Sequence, residues 1–582
     1  MKVIHSFSNR TIQKEVSEEP SFLIANKIGG YSWLSSQPSS RYNGVFFNID
    51  HTMYKVIENI KVSDEPVTYL KNNFANIERK KKDIVETFFT PYYFNSLVYE
   101  LNKKSEVEII LDIRESYSSP DWDRNYHIFE ESKKIIIKYS HEGFEAYLVI
   151  NKTEDYKKTS AWFLQNYPKD QERNSWPNEK FVYSAIKIKT DKLILTFSKS
   201  KEDAIKENNF VLKRLKSLKE TQKTFFNKIL TKDKILKKIK SKELFFTYLS
   251  AISSLENLII AQNNSGIFAG LPWFFQFWTR DQLISLKAAT LLGHSELAKS
   301  TINNMLDSVQ EDGNLPNQLP FSHLKGADSI GWLFKRASEL NLKDSKEKLA
   351  NTLDLLLKNR TNDGFAINNE LETWMDTAFE WDNRAGIRIE IQALRLNMYQ
   401  LMYKLTKDLN YLNLEIELKE KVRAQLWNGM NLADGLDDFT IRPNIFLAAY
   451  IYPNLLTNDE WIRCFENTLP SLWVEWGGLT TIGKNQNIFT PHHTGEDNRS
   501  YHRGDSWFWV NNLAAIVLHK TDKKRFQHYI EKILQASTKD ILYNGAIANA
   551  SEISSANNLS SKGCIAQAWS SALLIELIHE LF

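Results

Sequence analysis

From about residue 243 to its end the chain repeats one rhythm, which limits its fold more than any single motif does. Apolar residues at helical spacing mark twelve candidate helices, roughly 243–262, 281–292, 295–310, 328–341, 344–359, 387–407, 410–427, 443–453, 457–472, 506–520, 522–542 and 564–581. Connections after the even-numbered helices are short, down to Gly293 or Thr521 alone, whereas those after the odd ones are long: 263–280, 311–327, 360–386, 428–442, 473–505 and 543–563. Successive helices are then antiparallel, and all six long connections gather at one end. Composition follows the same parity. Even helices are apolar nearly all round, as in Asn444-Ile-Phe-Leu-Ala-Ala-Tyr-Ile-Tyr452, while odd ones such as Asp344–Asn359 and Asn413–Leu426 keep one polar face. An inner ring covered on both sides, inside an outer ring with one wet face, produces that contrast. Six such pairs predict an (α/α)6 barrel over residues 243–582.

Upstream the period changes. Residues 1–200 hold short β-branched and aromatic runs, among them Val45–Ile49, Ile84–Phe89, Val107–Ile113, Lys134–Tyr139, Glu145–Ile150 and Phe181–Ile188, separated by turn formers. They predict a β-sandwich. Residues 201–242 are lysine-rich with Leu212, Leu215 and Leu218 at helical spacing, and read as a helical linker with a solvated face. The expected whole is a multidomain α+β chain. Its 74 basic and 71 acidic residues leave a net charge of +3, which gives neither nucleic acid nor an anionic membrane a reason to bind. No apolar run is long enough to cross a bilayer, and the first residues do not form a signal peptide. Two cysteines, Cys464 and Cys564, without metal-ligand spacing, point to a reducing, cytoplasmic setting with neither metal nor cofactor.

Six long loops at one end of a barrel mark that end as the working rim. Its acids include Asp281, Asp328, Asp376, Glu390, Asp434, Glu475, Glu496, Asp505 and Glu552. Aromatics accompany them: Trp273, Trp278, Trp374, Trp381, Trp476, Tyr501 and Trp507. Carboxylates among tryptophans suit sugar chemistry, since rings stack on C–H faces while glycoside hydrolysis needs one proton donor and one base or nucleophile. The stretch Trp273–Asp281 concentrates this, with five aromatics ahead of the pair Arg280-Asp281. Each residue also has a plainer role: a run of aromatics builds core, Asp281 caps a helix, and Glu390, inside a helix, serves a salt bridge. His492, His493 and His502 match no common metal spacing and suit sugar hydroxyls better.

The order of the motifs resembles the amylo-α-1,6-glucosidase family, the archaeal and bacterial type of glycogen debranching enzyme. The pieces are Asn26-Lys-Ile-Gly-Gly-Tyr31, Ser40-Arg-Tyr-Asn-Gly44, Gly270-Leu-Pro-Trp-Phe274 through Trp278-Thr-Arg-Asp281, Glu372-Thr-Trp-Met-Asp376, Ile389-Glu-Ile-Gln-Ala-Leu394, Ile441-Arg-Pro-Asn444, Gly478-Leu-Thr-Thr481, Tyr501-His-Arg-Gly504, Ser551-Glu552 and Gly563-Cys-Ile-Ala-Gln-Ala-Trp-Ser570. The resemblance implies a β-sandwich followed by an (α/α)6 barrel, and removal of α-1,6-linked glucose from a branched α-glucan such as glycogen or limit dextrin. It implies Asp376 as general acid and, by a looser analogy, Glu552 as general base, with Glu475 and Glu496 as rivals. Arg280 and Asp281 would hold the terminal glucose, Trp273, Trp278, Trp374 and Trp507 would shape its pocket, and Glu390 and His502 would contact hydroxyls or support those that do. Thr279 stands where the family has glycine, Asn43 where histidine is usual, and Arg395-Leu396 where two aromatics are usual. No second catalytic domain is expected, so full debranching calls on a separate glucanotransferase acting upstream. Two alternatives stand beside this reading: a glucoamylase-like exo-α-glucosidase acting on α-1,4 ends or small glucosides, and a silent glucan-binding protein.

Overall fold

The computed structural model describes residues 1–261, 265–320 and 322–582. Gln262, which ends the first expected helix, Asn263 and Asn264 of the expected 263–280 connection, and Phe321 of 311–327 lie outside the described residues. The chain divides into two compact units: Met1–Asn264 with Ile541–Asn549, and Ser265–Asp540 with Ala550–Phe582.

The first unit is a β-sandwich in which, among the described residues, sixteen strands form one connected sheet. Its spine is two twenty-residue strands, Ser96–Glu115 and Glu179–Ser198, paired antiparallel. The first of them changes its second partner midway, lying beside Glu86–Phe89 at Val98–Leu101 and beside Tyr54–Lys61 at Glu108–Glu115. Side chains alternate as a half-covered strand requires: Val107 and Ile109 are buried, Glu106 and Glu108 are not. Phe181–Ile188 and Lys192–Phe197, two runs in the sequence, belong to the single strand Glu179–Ser198. Helix α1 (Lys201–Lys232) starts at Ser200, whose side chain accepts from the Asp203 amide. Val211 and Leu215 pack on Phe89, Val98 and Ile194, so the lysine-rich segment is also a cover for the sheet. Helix α2 (Lys234–Lys238) and helix α3 (Lys242–Leu258) complete this unit, α3 lying against the strands Arg10–Glu15 and Ser21–Ala25.

The second unit has the (α/α)6 fold, with six inner helices and five outer ones among the described residues; the first helix expected of the barrel, 243–262, is α3 and falls in the first unit. Its inner helices are α4 (Thr279–Leu291), α6 (Ala327–Glu339), α8 (Ile389–Thr406), α10 (Asn444–Ile451), α12 (Phe508–Asp522) and α14 (Ala568–Leu581). Each packs against the next, and α14 returns to α4, closing the ring. Outer helices α5 (Ser295–Leu306), α7 (Lys346–Asn359), α9 (Leu409–Leu426), α11 (Asn458–Leu472) and α13 (Gln527–Tyr543) alternate with them along the chain. Inner helices are buried all round, as Phe508–Leu518 of α12 illustrates, whereas α7 buries only Leu349, Thr352, Leu353 and Leu356. That contrast is the parity seen in the sequence.

One device builds the rim. None of the six inner helices has a side-chain cap at its N-terminus. In five of them the first helical N–H donates instead to a backbone carbonyl of the next loop round the ring: Thr279 to Asn317, Ala327 to Glu372, Ile389 to Asp434, Phe508 to Glu552 and Ala568 to Ala269. These orphan donors therefore tie each rim loop to the neighbouring helix. They also hold the acids Glu372, Asp434 and Glu552 by their main chains.

Candidate active site

Arg280, second residue of α4, is the hub of the rim. It is buried, and its Nε lies 3.0 and 2.8 Å from the Asp328 oxygens, Nη1 3.0 Å from Asp376 Oδ2, and Nη2 2.9 Å from the Thr373 carbonyl. Burial opposes its charge, but Asp328 and Asp376 outweigh that and hold its pKa up. Of these two acids Asp328 has a side chain only 1% exposed, whereas that of Asp376 is 29% exposed, so Asp376 is the one open to a ligand. Burial raises the pKa of Asp376 while Arg280 pulls it back.

Glu552 stands in the loop before α14, and Asp376 in the loop before α8. Those helices are opposite members of the six-helix ring. Glu552 is held from several sides: Tyr501 Oη donates to Oε1 at 2.6 Å, and the Cys564 amide donates to Oε2 at 2.8 Å. Gly563 is required beside it, because its φ of +66° is left-handed and a Cβ there would collide with Oε2. Burial pushes the Glu552 pKa up to about 7, opposed by the Tyr501 and Cys564 hydrogen bonds and by His493, and reinforced by Asp376. Glu475 and Glu496, by contrast, are both exposed. Asp281, third residue of α4, is buried and accepts from Gln567 Nε2 at 3.1 Å. Burial, partly offset by Arg280 and reinforced by Glu552 and Asp376, pushes its pKa up to about 8. Three carboxyl groups of one site thus feel one another's charge.

The aromatics divide into two kinds. Trp273 and Trp278 belong to a run, 273–278, in which every residue is half-buried, and Trp278 meets Phe274 edge-on at 5.7 Å. Trp374 and Trp507 are buried. Trp374 donates to Asn444 Oδ1 at 2.7 Å and meets Trp507, Trp509 and His502 edge-on, so it backs the site without lining it. His502 stacks on Trp507 at 5.1 Å and its Nδ1 lies 2.8 Å from Thr377 Oγ1, next to Asp376. Burial and the cations of Arg503, Arg442, Arg280 and Arg384 hold its pKa well below the ordinary value, so it is neutral.

Glu390 sits apart from the open surface. Arg384 grips it at 2.7 and 3.1 Å and grips Asp434 at 3.0 and 3.1 Å, all of them buried. The network continues through Arg388 to Asp438, while Arg442 and Arg503 meet on Asp382. It ties the loop before α8 to the loop before α10, and through Arg384 on Thr373 and Arg503 on the Thr377 carbonyl it holds the chain on both sides of Asp376. Tyr501, Asp328, Gln567 and the His493–Asp505 pair (2.7 Å) are the supporting groups to which the sequence assigned no role. Each carried a weaker signal: Tyr501 opens Tyr501-His-Arg-Gly504, Gln567 lies in Gly563–Ser570, Asp328 and Asp505 stand among the rim acids, and His493 stands in the histidine cluster. The departures from the family pattern land on structural contacts: Thr279 Oγ1 donates to the Pro316 carbonyl at 2.9 Å, and Arg395 Nη1 to Thr361 Oγ1 at 2.9 Å.

Paired carboxyl groups on an (α/α)6 rim now meet a match in sequence: the family described as amylo-alpha-1,6-glucosidase matches residues 234–335 and 357–576. The chain belongs to the amylo-α-1,6-glucosidase family. It is a glycoside hydrolase, and its substrate is a carbohydrate. No curated protein matches the chain. Among solved structures, a bacterial glucoamylase complexed with acarbose superposes with a TM-score of 0.65 at 12% identity, covering 97% of this chain and 96% of that one. The likeness concerns the fold. Another solved structure, described as a glycosidase, has a TM-score of 0.45 at 12% identity and covers 59% of this chain and 99% of that one. Among the described residues, no helix is long and apolar enough to cross a membrane.

Proposed function

We propose that this family member removes the single α-1,6-linked glucose left at a branch point of a glycogen-like glucan, with inversion. Asp376 protonates the leaving O6, and Glu552 takes a proton from the water that attacks the anomeric carbon from the other face. The observation that carries this is the placement of Asp376 and Glu552 on opposite sides of one ring, in loops that share the rim with Arg280 and Asp281. Asp281, neutral at pH 7 with its pKa near 8, would donate to a hydroxyl of the bound glucose. Arg280, whose three nitrogens already have partners, would act by orienting Asp376. The half-buried run 273–278 would supply the sugar-facing wall. Outer chains would be shortened first by a separate glucanotransferase, and two buried free thiols suit a reducing cytoplasm.

Glucose release from a maltooligosaccharide carrying one α-1,6-linked glucose tests the linkage, and NMR of fresh hydrolysate tests the stereochemistry. Beta-glucose appearing first is expected; alpha-glucose first removes inversion, and activity confined to α-1,4 ends moves the enzyme to glucoamylase-like specificity. A second assignment exchanges the two roles. It is favoured by the ion pair on Asp376, which supports a charged base, and by the Glu552 pKa near 7, which supports a protonated acid.

A further inference from the structure

Two rim turns, one in the loop that carries Asp376 and one in the loop before α10, expose large apolar side chains. The first closes through hydrogen bonds between Phe379 and Asp382, with Glu380 at φ +51° and Trp381 at its tip. The second closes between Gly435 and Asp438, with Leu436 and Asp437 (φ +58°) at its tip and Phe439 just beyond. Trp381 is 60% exposed and Phe439 58%. Both turns are braced. Asp382, at the base of the first turn, is gripped by Arg442 and Arg503 at 2.8 Å each; Asp438, at the base of the second, is gripped by Arg388. The turns are also tied to each other. The Leu436 amide donates to the Ile387 carbonyl at 3.1 Å, and Arg442 joins the second loop to Asp382 in the first.

We infer that Trp381 and Phe439 form an aglycone platform on which the α-1,4-linked main chain of the branched glucan rests while its side-linked glucose occupies the site. This rests on the glucosidase reading above. The loop that carries Trp381 also carries Asp376, five residues earlier, so a chain leaving the cleaved bond emerges where these turns stand. Flat rings stack on the C–H faces of successive glucose units, and Glu380 and Asp437 at the turn tips accept from their hydroxyls. Anchoring the platform through buried Arg–Asp pairs keeps it rigid, so little order is lost on binding. Asp376 and its platform are set by one network.

The test compares two substrates. Trp381→Ala and the Trp381→Ala/Phe439→Ala pair should lower kcat/KM on 6-α-glucosyl-maltoheptaose about tenfold, mainly through KM, which is about 1.4 kcal/mol. On isomaltose, whose aglycone is one glucose, the same variants should stay within twofold of the parent. Trp381→Phe should recover most of the loss. Equal loss on both substrates, or no loss on either, overturns the platform. A parental dimer that the double substitution splits in light scattering, with glucan kinetics unchanged, would give the face to a second copy of the chain and overturn it too. Failure of the parent to cleave either substrate would instead remove the glucosidase reading.

Discussion

Tyr501 donates its hydroxyl to Glu552 at 2.6 Å, and among the contacts that hold down the pKa of this buried carboxyl it is the largest. A hydrogen bond to the charged form of a carboxyl lowers its pKa. With the Cys564 amide it restrains a group that burial has already lifted to about 7. Tyr501→Phe removes the restraint, so the acidic limb of the pH–rate profile should move up by about one unit. At pH 6 the variant should be about tenfold slower than the parent, with the gap narrowing above pH 8. A limb that does not move would leave Tyr501 as packing alone.

Arg280 predicts a stability effect as well as a kinetic one. Removing it strands Asp328, whose side chain is 1% exposed, without its counter-charge. Breaking a buried pair from one side costs about 3–5 kcal/mol. Arg280→Met should therefore lower the denaturation midpoint sharply, and adding Asp328→Asn should restore a good part of the loss, as a double-mutant cycle would measure. Strict additivity of the two substitutions would deny the pair its role.

How much of this was legible in the chain differs by level. Helix parity was, because an inner helix such as Phe508–Asp522 must be apolar on every face, and a sequence records that directly. The expected helices lie within five residues of the observed ones at either end. Asp376 and Glu552 were reachable as rim acids, yet nothing in their local sequence separates Glu552 from Glu475. The difference is burial beside Tyr501 and Cys564, a tertiary fact. Arg280 and Glu390 show the converse. Both stood in motifs that resemble a sugar site. A salt bridge was the plainer role expected of Glu390, and Arg384, six residues before it, makes that bridge; Asp328, 48 residues from Arg280, and Asp434, 50 residues from Arg384, are too far along the chain for those pairs to be read from the sequence. The carbonyl caps on the inner helices leave no sequence signal at all, since any residue supplies a carbonyl.

Burial of Glu552 carries a cost that depends on pH. Its folded-state pKa is raised from 4.5 to about 7, so between those values the folded chain keeps a proton that the unfolded chain has released. Stability from this group is thus full below pH 4.5 and falls as pH rises to 7 and beyond. Glu552→Gln never ionises, and at pH 8 it should be more stable than the parent by about 3 kcal/mol, with no gain at pH 4. Chemical denaturation at the two pH values checks this. A gain of equal size at both would trace to packing.

The assignment of acid and base is decided by a substrate that needs no acid. Fluoride leaves α-glucosyl fluoride without protonation, so a variant lacking only the general acid keeps its rate on that substrate. Hydrolysis of the α-1,6 bond in a branched glucan still requires the proton and should fall by about two to four orders of magnitude. Attack by water requires the base in both cases. Asp376→Asn should then be slow on the glucan and near-parental on the fluoride, while Glu552→Gln should be slow on both. The reverse pattern would exchange the roles, making Arg280 the group that keeps Asp376 charged as a base. The two readings also part in their pH dependence. If Glu552 is the base, activity rises as pH passes its pKa near 7; if it is the acid, activity falls through the same range. A profile rising through pH 7, together with the expected variant pattern, fixes Asp376 as donor and Glu552 as acceptor.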